Sequence, residues 1–278
     1  MGYKCISVCL DNGNSAVQRL DFALVLAAQH GAHLKGVHVT YEPVILTDPY
    51  EVWAPILLEW EQGAQKRERL AREQFAVAAG KAGVSFDWVA YRSFELQEII
   101  AHARASDLTI LGRDDIGGNA DKRARSFADL LLMQLGRPVL LLPPISKSGS
   151  ANGQFDSILV AWNGSREAAR AMADAMPFLR LAQQVRVVTI VETIQREKDL
   201  PDVDIGVYLA KHGVRAELDR VESIDTSPSD CLLPAALKMK ADLLVMGAYG
   251  HKRWSELIMG GMTRSVMQNI SLPVLMSH

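Results

Sequence analysis

The sequence predicts an α/β protein made of two tandem units, each a five-stranded, mostly parallel sheet with helices on both faces. Three observations carry this expectation. Short apolar runs alternate with helix-patterned segments along the chain, as in successive βαβ units. A long internal repeat divides the 278 residues into two pieces of ordinary domain size. A stretch rich in Pro, Gly and Ser, Pro143 to Gly153, stands where the pieces join and suits an exposed linker.

The repeat can be read residue by residue. Ile6-Ser7-Val8-Cys9-Leu10-Asp11 corresponds to Ile158-Leu159-Val160-Ala161-Trp162-Asn163, an offset of 152. Asp107-Leu108-Thr109-Ile110-Leu111-Gly112 corresponds to Asp242-Leu243-Leu244-Val245-Met246-Gly247, and Arg137-Pro138-Val139-Leu140 to Leu272-Pro273-Val274-Leu275, both at an offset of 135. The second copy is therefore shorter in its middle, where the first carries the stretch from Tyr41 to Gly83. The boundary falls near 148–154, giving domains over 1–147 and 154–278.

In the first copy, strands are expected near 4–10, 34–39, 85–91, 107–111 and 138–142. The helix over Ala54–Ala82 is long and highly charged, which reads as a solvated face more readily than as a partner-binding one. In the second copy, the apolar run Ser157–Ala161 is a buried strand. Ala168, Ala169, Met172, Ala173, Met176 and Leu179 recur at helical spacing and predict one helix. Gln184–Val191 is the next strand, followed by a short helix over Ile205–His212 with Gly213 as its C-terminal cap. Arg215–Val221 alternates as a strand, Asp230–Lys240 is helical and Asp242–Met246 is the fourth strand. A loop over Gly247–Gly260, a helix over Gly261–Asn269 and the strand Pro273–Met276 complete the copy. Proline at the first residue of a strand loses little ladder bonding.

Composition narrows the function. Hydrophobic residues make up 49% and charged residues 22%, a globular profile. The net charge of −2 disfavours a nucleic-acid binder that works through broad electrostatics. Three cysteines, Cys5, Cys9 and Cys231, form no disulfide framework, so reduced thiols in a cytoplasmic setting are expected. No apolar run reaches the about 18–20 residues of a membrane span, and the first residues read as a strand rather than a signal peptide. No His/Cys/Asp/Glu cluster has zinc spacing. His102 and His212 fall near helix ends, where structural or solvated roles are expected. Lys238-Met239-Lys240 lacks the partner motif of a synthetase lysine loop.

The segment after the fourth strand of the second copy carries the chemistry. Its glycines, Gly247, Gly250, Gly260 and Gly261, are spaced G-x2-G-x9-G-G. This is neither a Walker A loop nor GxGxxG. Yet glycine permits close backbone approach, amides at a helix start cradle anions, and open α/β sheets bind ligands beyond the carboxyl ends of their strands. Spacing alone leaves a simple turn as the alternative. His251, Lys252 and Arg253 lie in the loop, where they meet terminal phosphates or form a solvated basic patch. Trp162 and Trp254 flank the crevice or pack elsewhere.

These residues resemble the universal stress protein family, in a tandem form spanning nearly the full length. The resemblance rests on the opening strand with Asn163-Gly164-Ser165, the strand ending at Gly247, the glycine loop and the closing Leu272-Pro273-Val274-Leu275. It implies two Rossmann-like or flavodoxin-like domains and an ATP site, with Mg²⁺ arriving through the phosphates. In that family Gly247, Gly250 and Gly260 would approach phosphates and ribose, and Gly261 and Met262 would offer helix-start amides. Val191 would present backbone to the adenine edge. Two departures stand out. Asn163 replaces a common Asp at the nucleoside, and Gly261 replaces a preferred Ser or Thr, with Thr263 a substitute hydroxyl. In the first copy the loop glycines map to Gly112, Asp115 and Arg125, and Gly117-Gly118 does not restore the spacing. Asp11 is kept, and Ser126 stands at the expected helix start. One competent site, in the second half, is therefore expected.

The family resemblance also implies pairing through the fifth strands, satisfied here inside one chain as a pseudo-dimer, with homo-oligomers left open. Three functions follow: a regulatory or stress-protective nucleotide-binding protein with at most slow hydrolysis, an interaction module of the same family without nucleotide, and an enzyme of related adenine-handling folds. Neither a catalytic base nor a metal carboxylate is evident, so fast turnover is not expected. The last reading needs a phosphate loop or catalytic lysine after the first strand, where Asn163-Gly164-Ser165-Arg166 offers only a short turn and helix cap.

Overall fold

A computed structural model describes residues 2–11, 13, 15–40, 50–92, 95–112, 122–143, 153–192, 204–223, 228–250 and 261–278. The first half runs β1 (Cys5–Leu10), α1 (Ala16–His30), β2 (His33–Thr40), α2 (Tyr50–Ala82), β3 (Phe86–Arg92), α3 (Leu96–Arg104), β4 (Leu108–Gly112), α4 (Lys122–Gln134) and β5 (Val139–Leu142). The second runs β6 (Ser157–Ala161), α5 (Arg166–Asp174), α6 (Met176–Leu179), β7 (Gln184–Glu192), α7 (Ile205–Lys211), β8 (Ala216–Ser223), α8 (Pro228–Met239), β9 (Leu243–Gly247), α9 (Gly261–Asn269) and β10 (Val274–Ser277). All ten expected strands form.

The strands make one continuous sheet in the order β3-β2-β1-β4-β5-β10-β9-β6-β7-β8. Pairing is parallel within each half, and the halves join where β10 runs antiparallel to β5. Neither fifth strand is left as an open edge, the exposed row of unpaired amides that invites association.

Alternation along the strands splits the core into two layers. On one face, Ile6, Val8, Leu108, Ile110, Leu140, Ile158, Val160, Val245 and Leu275 pack with α1, α2, α5, α6 and α7. On the other, Cys9, Leu111, Leu141, Leu159, Leu244, Val274 and Met276 pack with α3, α4, α8 and α9. Each layer runs through both halves, so burial ties the repeats together on both sides of the sheet. An aromatic group bridges them at one edge: Tyr3 of the first half lies 5.2 Å from Phe178 of the second, and Phe22 lies 6.1 Å from Phe155.

Two expectations are corrected. The single helix through Ala168 and Leu179 is two, α5 and α6, divided at Ala175. Pro177, near the start of α6, has no N–H to continue the preceding helical ladder. In the first half, α4 begins at Lys122, so Ser126 lies one turn inside the helix and not at its start. Gly213 stands just beyond α7 with φ +78°, its amide reaching Ala210 and Val214's amide reaching Leu209, which closes the helix as expected. The linker residues 144–152 lie outside the described residues.

Candidate functional site

The carboxyl end of β9 meets the amino end of α5. Gly247, the last residue of β9, pairs with Ser277 of β10, and the next amide, Ala248, donates to the Ser277 carbonyl at 2.8 Å. A Cβ on Gly247 would stand 2.6 Å from the Ala168 amide nitrogen and 2.7 Å from the Glu167 carbonyl carbon. Glycine is required there because the first turn of α5 presses on the strand tip. A Cβ on Gly250 would stand 2.7 Å from Glu167 Oε2 and 3.2 Å from Ser165 Oγ. Both glycines thus have an internal reason to be glycine.

Local hydrogen bonding shapes the amino end of α5. The Asn163 side-chain oxygen accepts from the Ser165 amide at 3.1 Å, forming an Asx turn. Ser165 Oγ then accepts from the Ala168 amide at 3.1 Å as the helix cap. Glu167 follows, only 4% exposed, with Arg166 donating to its carboxylate. Burial pushes this carboxyl up, but hydrogen bonds from Arg166, its own amide and Ser165, together with the Arg166 charge, outweigh it. The group is held below the usual carboxylate range and stays ionised near neutrality. Sequence reading did not single out Glu167; its signal was its place three residues after Gly164, in the first turn that faces the glycine loop.

The loop is tied to α9 as well. Tyr249 adopts φ +57°, rare for a side-chain-bearing residue, and its amide donates to Thr263 Oγ1 at 3.2 Å. Thr263 is 3% exposed. Met262 is half-buried and packs against the core. The strand tip, the amino end of α5 and the start of α9 therefore converge, bringing Asn163, Gly247, Gly250, Gly261, Met262 and Thr263 to one corner of the sheet's carboxyl edge. Val191 sits near the end of β7, opposite Glu222 of the edge strand β8 and three residues past Val188, whose carbonyl accepts from the Trp162 amide. Gly260, His251, Lys252, Arg253 and Trp254 lie outside the described residues.

The loop also contacts the other half. The Tyr249 hydroxyl donates to Asp129 Oδ1 of α4 at 2.5 Å, and Arg264 Nη2 of α9 lies 3.6 Å from Asp129 Oδ2. Burial, then the Asp129 carboxylate, push the Tyr249 phenol far up, so it remains a donor.

The first half is arranged differently at the matching corner. Asp11 accepts from the Gly13 amide at 3.1 Å and pairs with Arg19 at 2.8 Å. Arg19 is 2% exposed, and its counterpart in the second half is Ala171. The carboxylate that the resemblance offers to a nucleoside is thus engaged inside the protein. Asp115, Gly117 and Gly118 lie outside the described residues. A cleft of about 240 Å³ opens elsewhere in this half, between α2 and the carboxyl ends of β2 and β3, with Thr40, Glu61, Glu68, Arg92 and Glu95 on its walls. Its Arg92 is paired to Glu61 at 2.6 Å. Among the described residues, no group of three or more His, Cys, Asp or Glu could hold a metal, and no helix is long and apolar enough to cross a membrane.

Comparison with known proteins agrees with the duplicated fold. The profile of the Universal stress protein family matches twice, over residues 2–143 and 154–278. Universal stress protein Slr1230 of Synechocystis sp. is 24% identical over 295 aligned residues, covering 98% of this chain and 99% of that protein. A Thermus aquaticus universal stress protein is 26% identical over 140 residues, covering 44% of this chain and 98% of its own length. Among solved structures, a universal stress protein of Archaeoglobus fulgidus aligns with a TM-score of 0.72 at 15% identity, covering 98% of this chain and 95% of that one. A putative universal stress protein of Pseudomonas aeruginosa aligns with a TM-score of 0.59 at 16% identity, covering 99% and 93%.

Proposed function

We propose a function from one premise: the chain belongs to the universal stress protein family, with two of its domains in tandem. The second half binds ATP or a similar adenine nucleotide, and the protein serves a regulatory or stress-protective role in the cytoplasm rather than fast catalysis. One observation carries this reading. The hydrogen bond from the Tyr249 amide to Thr263 draws the glycine-bearing strand tip against the start of α9, so two amide-rich segments share one corner of the carboxyl edge. Gly247, Gly250, Gly260, Gly261 and Met262 would hold phosphate through their backbones, Thr263 would add a hydroxyl, and Asn163 and Val191 would face the nucleoside. The first half, with Asp11 paired to Arg19, stands as the nucleotide-free partner of an intramolecular pseudo-dimer.

Glu167 bears on the form of the ligand. An ionised carboxylate under Gly250 disfavours bare phosphate. A magnesium complex of the nucleotide suits it better, since that ion is held by carboxylates together with phosphates. The same carboxylate favours the second reading, an interaction module without nucleotide, in which Gly247 and Gly250 serve only the packing of α5.

The experiment is direct. Purified protein is denatured and the supernatant separated for ATP and ADP, and thermal shifts with ATP are measured with and without Mg²⁺ for the wild type and Glu167→Gln. Released nucleotide, with the variant binding metal-free ATP more tightly, supports the first reading. No nucleotide and no shift in either protein under either condition overturns it and leaves the second.

A further inference from the structure

The local twofold relating the repeats passes between Leu140 and Leu275. These residues are 135 positions apart, the repeat offset, and they stand opposite one another in the β5–β10 ladder. Positions on such an axis face their own counterparts, as at the centre of an isologous interface. Asp129 and Arg264 are counterparts at the same offset, and they meet as an ion pair at 3.6 Å, with side chains 12% and 50% exposed. A symmetric contact would bring like against like. This one brings an acid against a base.

A second asymmetry points the same way. Tyr249 donates its hydroxyl to Asp129, and the counterpart of Tyr249 in the first repeat is Asp114. Two first halves would set Asp129 against Asp129 and supply no phenol donor. Two second halves would set Arg264 against Arg264 and leave the Tyr249 hydroxyl without its carboxylate. Like charges at this separation in a half-buried place repel more strongly than in water. The apolar ladder offers no such choice. Leu140, Leu141, Val274 and Leu275 are all aliphatic and would pair equally well in any combination.

We infer that Asp129, Tyr249 and Arg264 make the association of repeats selective: a first half accepts a second half and rejects another first half. The hydrophobic strands supply the attraction, and these three residues supply the choice of partner. The selectivity is independent of any nucleotide.

Two single charge reversals in the full-length chain test this. In Asp129→Arg the two counterparts are both basic, and in Arg264→Asp both are acidic. Each variant alone closes on itself with like charges facing. Mixed, they offer each other opposite charges at every axis position. The two variants, carrying different affinity tags, are co-refolded from urea, and species holding both tags are counted by two-step capture and sized by light scattering. The mixture is expected to yield several-fold more two-chain, two-tag species than either variant co-refolded with a differently tagged copy of itself, or than a wild-type pair treated identically. The double variant Asp129→Arg/Arg264→Asp, with the charges exchanged within one chain, is expected to regain most of the urea midpoint lost by the single variants. A mixture that forms no more two-tag species than the wild type overturns the inference. So does a double variant as unstable as the singles, which would reduce the three residues to ordinary packing. A variant that fails to refold alone but refolds with its complement counts in favour.

Discussion

Leu140 and Leu275 face each other across the only antiparallel step in the described sheet, and both are fully buried. They occupy the same place in the two repeats, so this one pair couples the halves through the middle of a shared core layer. Truncating a buried leucine to alanine costs about 3 kcal/mol. Leu140→Ala and Leu275→Ala should each lose about that amount, and the double variant should lose measurably less than the total, because neighbouring sites couple. Urea unfolding of the three variants gives the cycle. Strict additivity would show that the ladder does not transmit stability between halves.

The next prediction contrasts two matching positions. Asp11 holds the buried Arg19 guanidinium at 2.8 Å, whereas Asn163, its counterpart in the second half, is exposed and bonds only its local turn among the described contacts. Removing Asp11 takes a charge-assisted hydrogen bond from the buried guanidinium, a contact worth about 1.5–3 kcal/mol. Asp11→Ala should therefore unfold well before the wild type, while Asn163→Ala should cost under about 1 kcal/mol. Equal losses in thermal or urea unfolding would remove the distinction between a structural corner and an open one.

Much of the architecture was legible because strands in a two-sided sheet announce themselves. Ser157–Ala161 and Leu243–Gly247 are continuous apolar runs, and both formed with burial on each face. Pairing through the fifth strands was implied by the family resemblance alone, and Val139–Leu142 and Val274–Ser277, copies of one strand, do pair. The helix break at Ala175 was not legible, because apolar spacing continues through it to Leu179 and only Pro177 signals the change. At the candidate site, the glycines were visible but their immediate neighbours were not. Glu167 and Arg19 read as ordinary charged helix residues, and only tertiary packing turns one toward Gly250 and buries the other. The Tyr249–Asp129 bond joins residues 120 positions apart, a separation at which no local pattern speaks.

The two loop glycines should tolerate substitution differently. At Gly247 a methyl would meet α5 backbone, with the Ala168 amide nitrogen 2.6 Å away. Backbone in a capped helix turn cannot withdraw cheaply. At Gly250 the nearest atom is the far end of the Glu167 side chain, which can rotate. Gly247→Ala should be destabilised by about 2 kcal/mol or more, in the range of overpacking, and Gly250→Ala by clearly less. Differential scanning calorimetry on ligand-free protein measures both. A Gly250→Ala loss equal to that of Gly247→Ala would mean that Glu167 is fixed in place.

Acid sensitivity provides the last test. His38 of β2 is fully buried, its ring 5.8 Å from Trp88, and its Nε2 has no hydrogen-bond partner among the described residues. Burial lowers its pKa from 6.5; the nearby Glu68 and Asp11 carboxylates resist that shift, and Arg67 reinforces it. His30 is lowered too, by burial and then by Lys4. Between these depressed folded values and the unfolded value of 6.5, the unfolded chain holds protons that the folded chain does not. Stability therefore rises with pH across that window and falls as pH drops below 6.5. The Glu167 carboxyl contributes in a separate, lower window. Its folded pKa lies beneath 4.5, so its contribution is present above that value and is lost only as pH falls further. Urea midpoints measured from pH 7.5 down to about 5 should decline for the wild type, and His38→Phe should flatten the slope while keeping the aromatic contact with Trp88. An unchanged slope in His38→Phe would assign the acid response to His30 and the surface, and would mean that His38 already accepts its proton without cost in the folded protein.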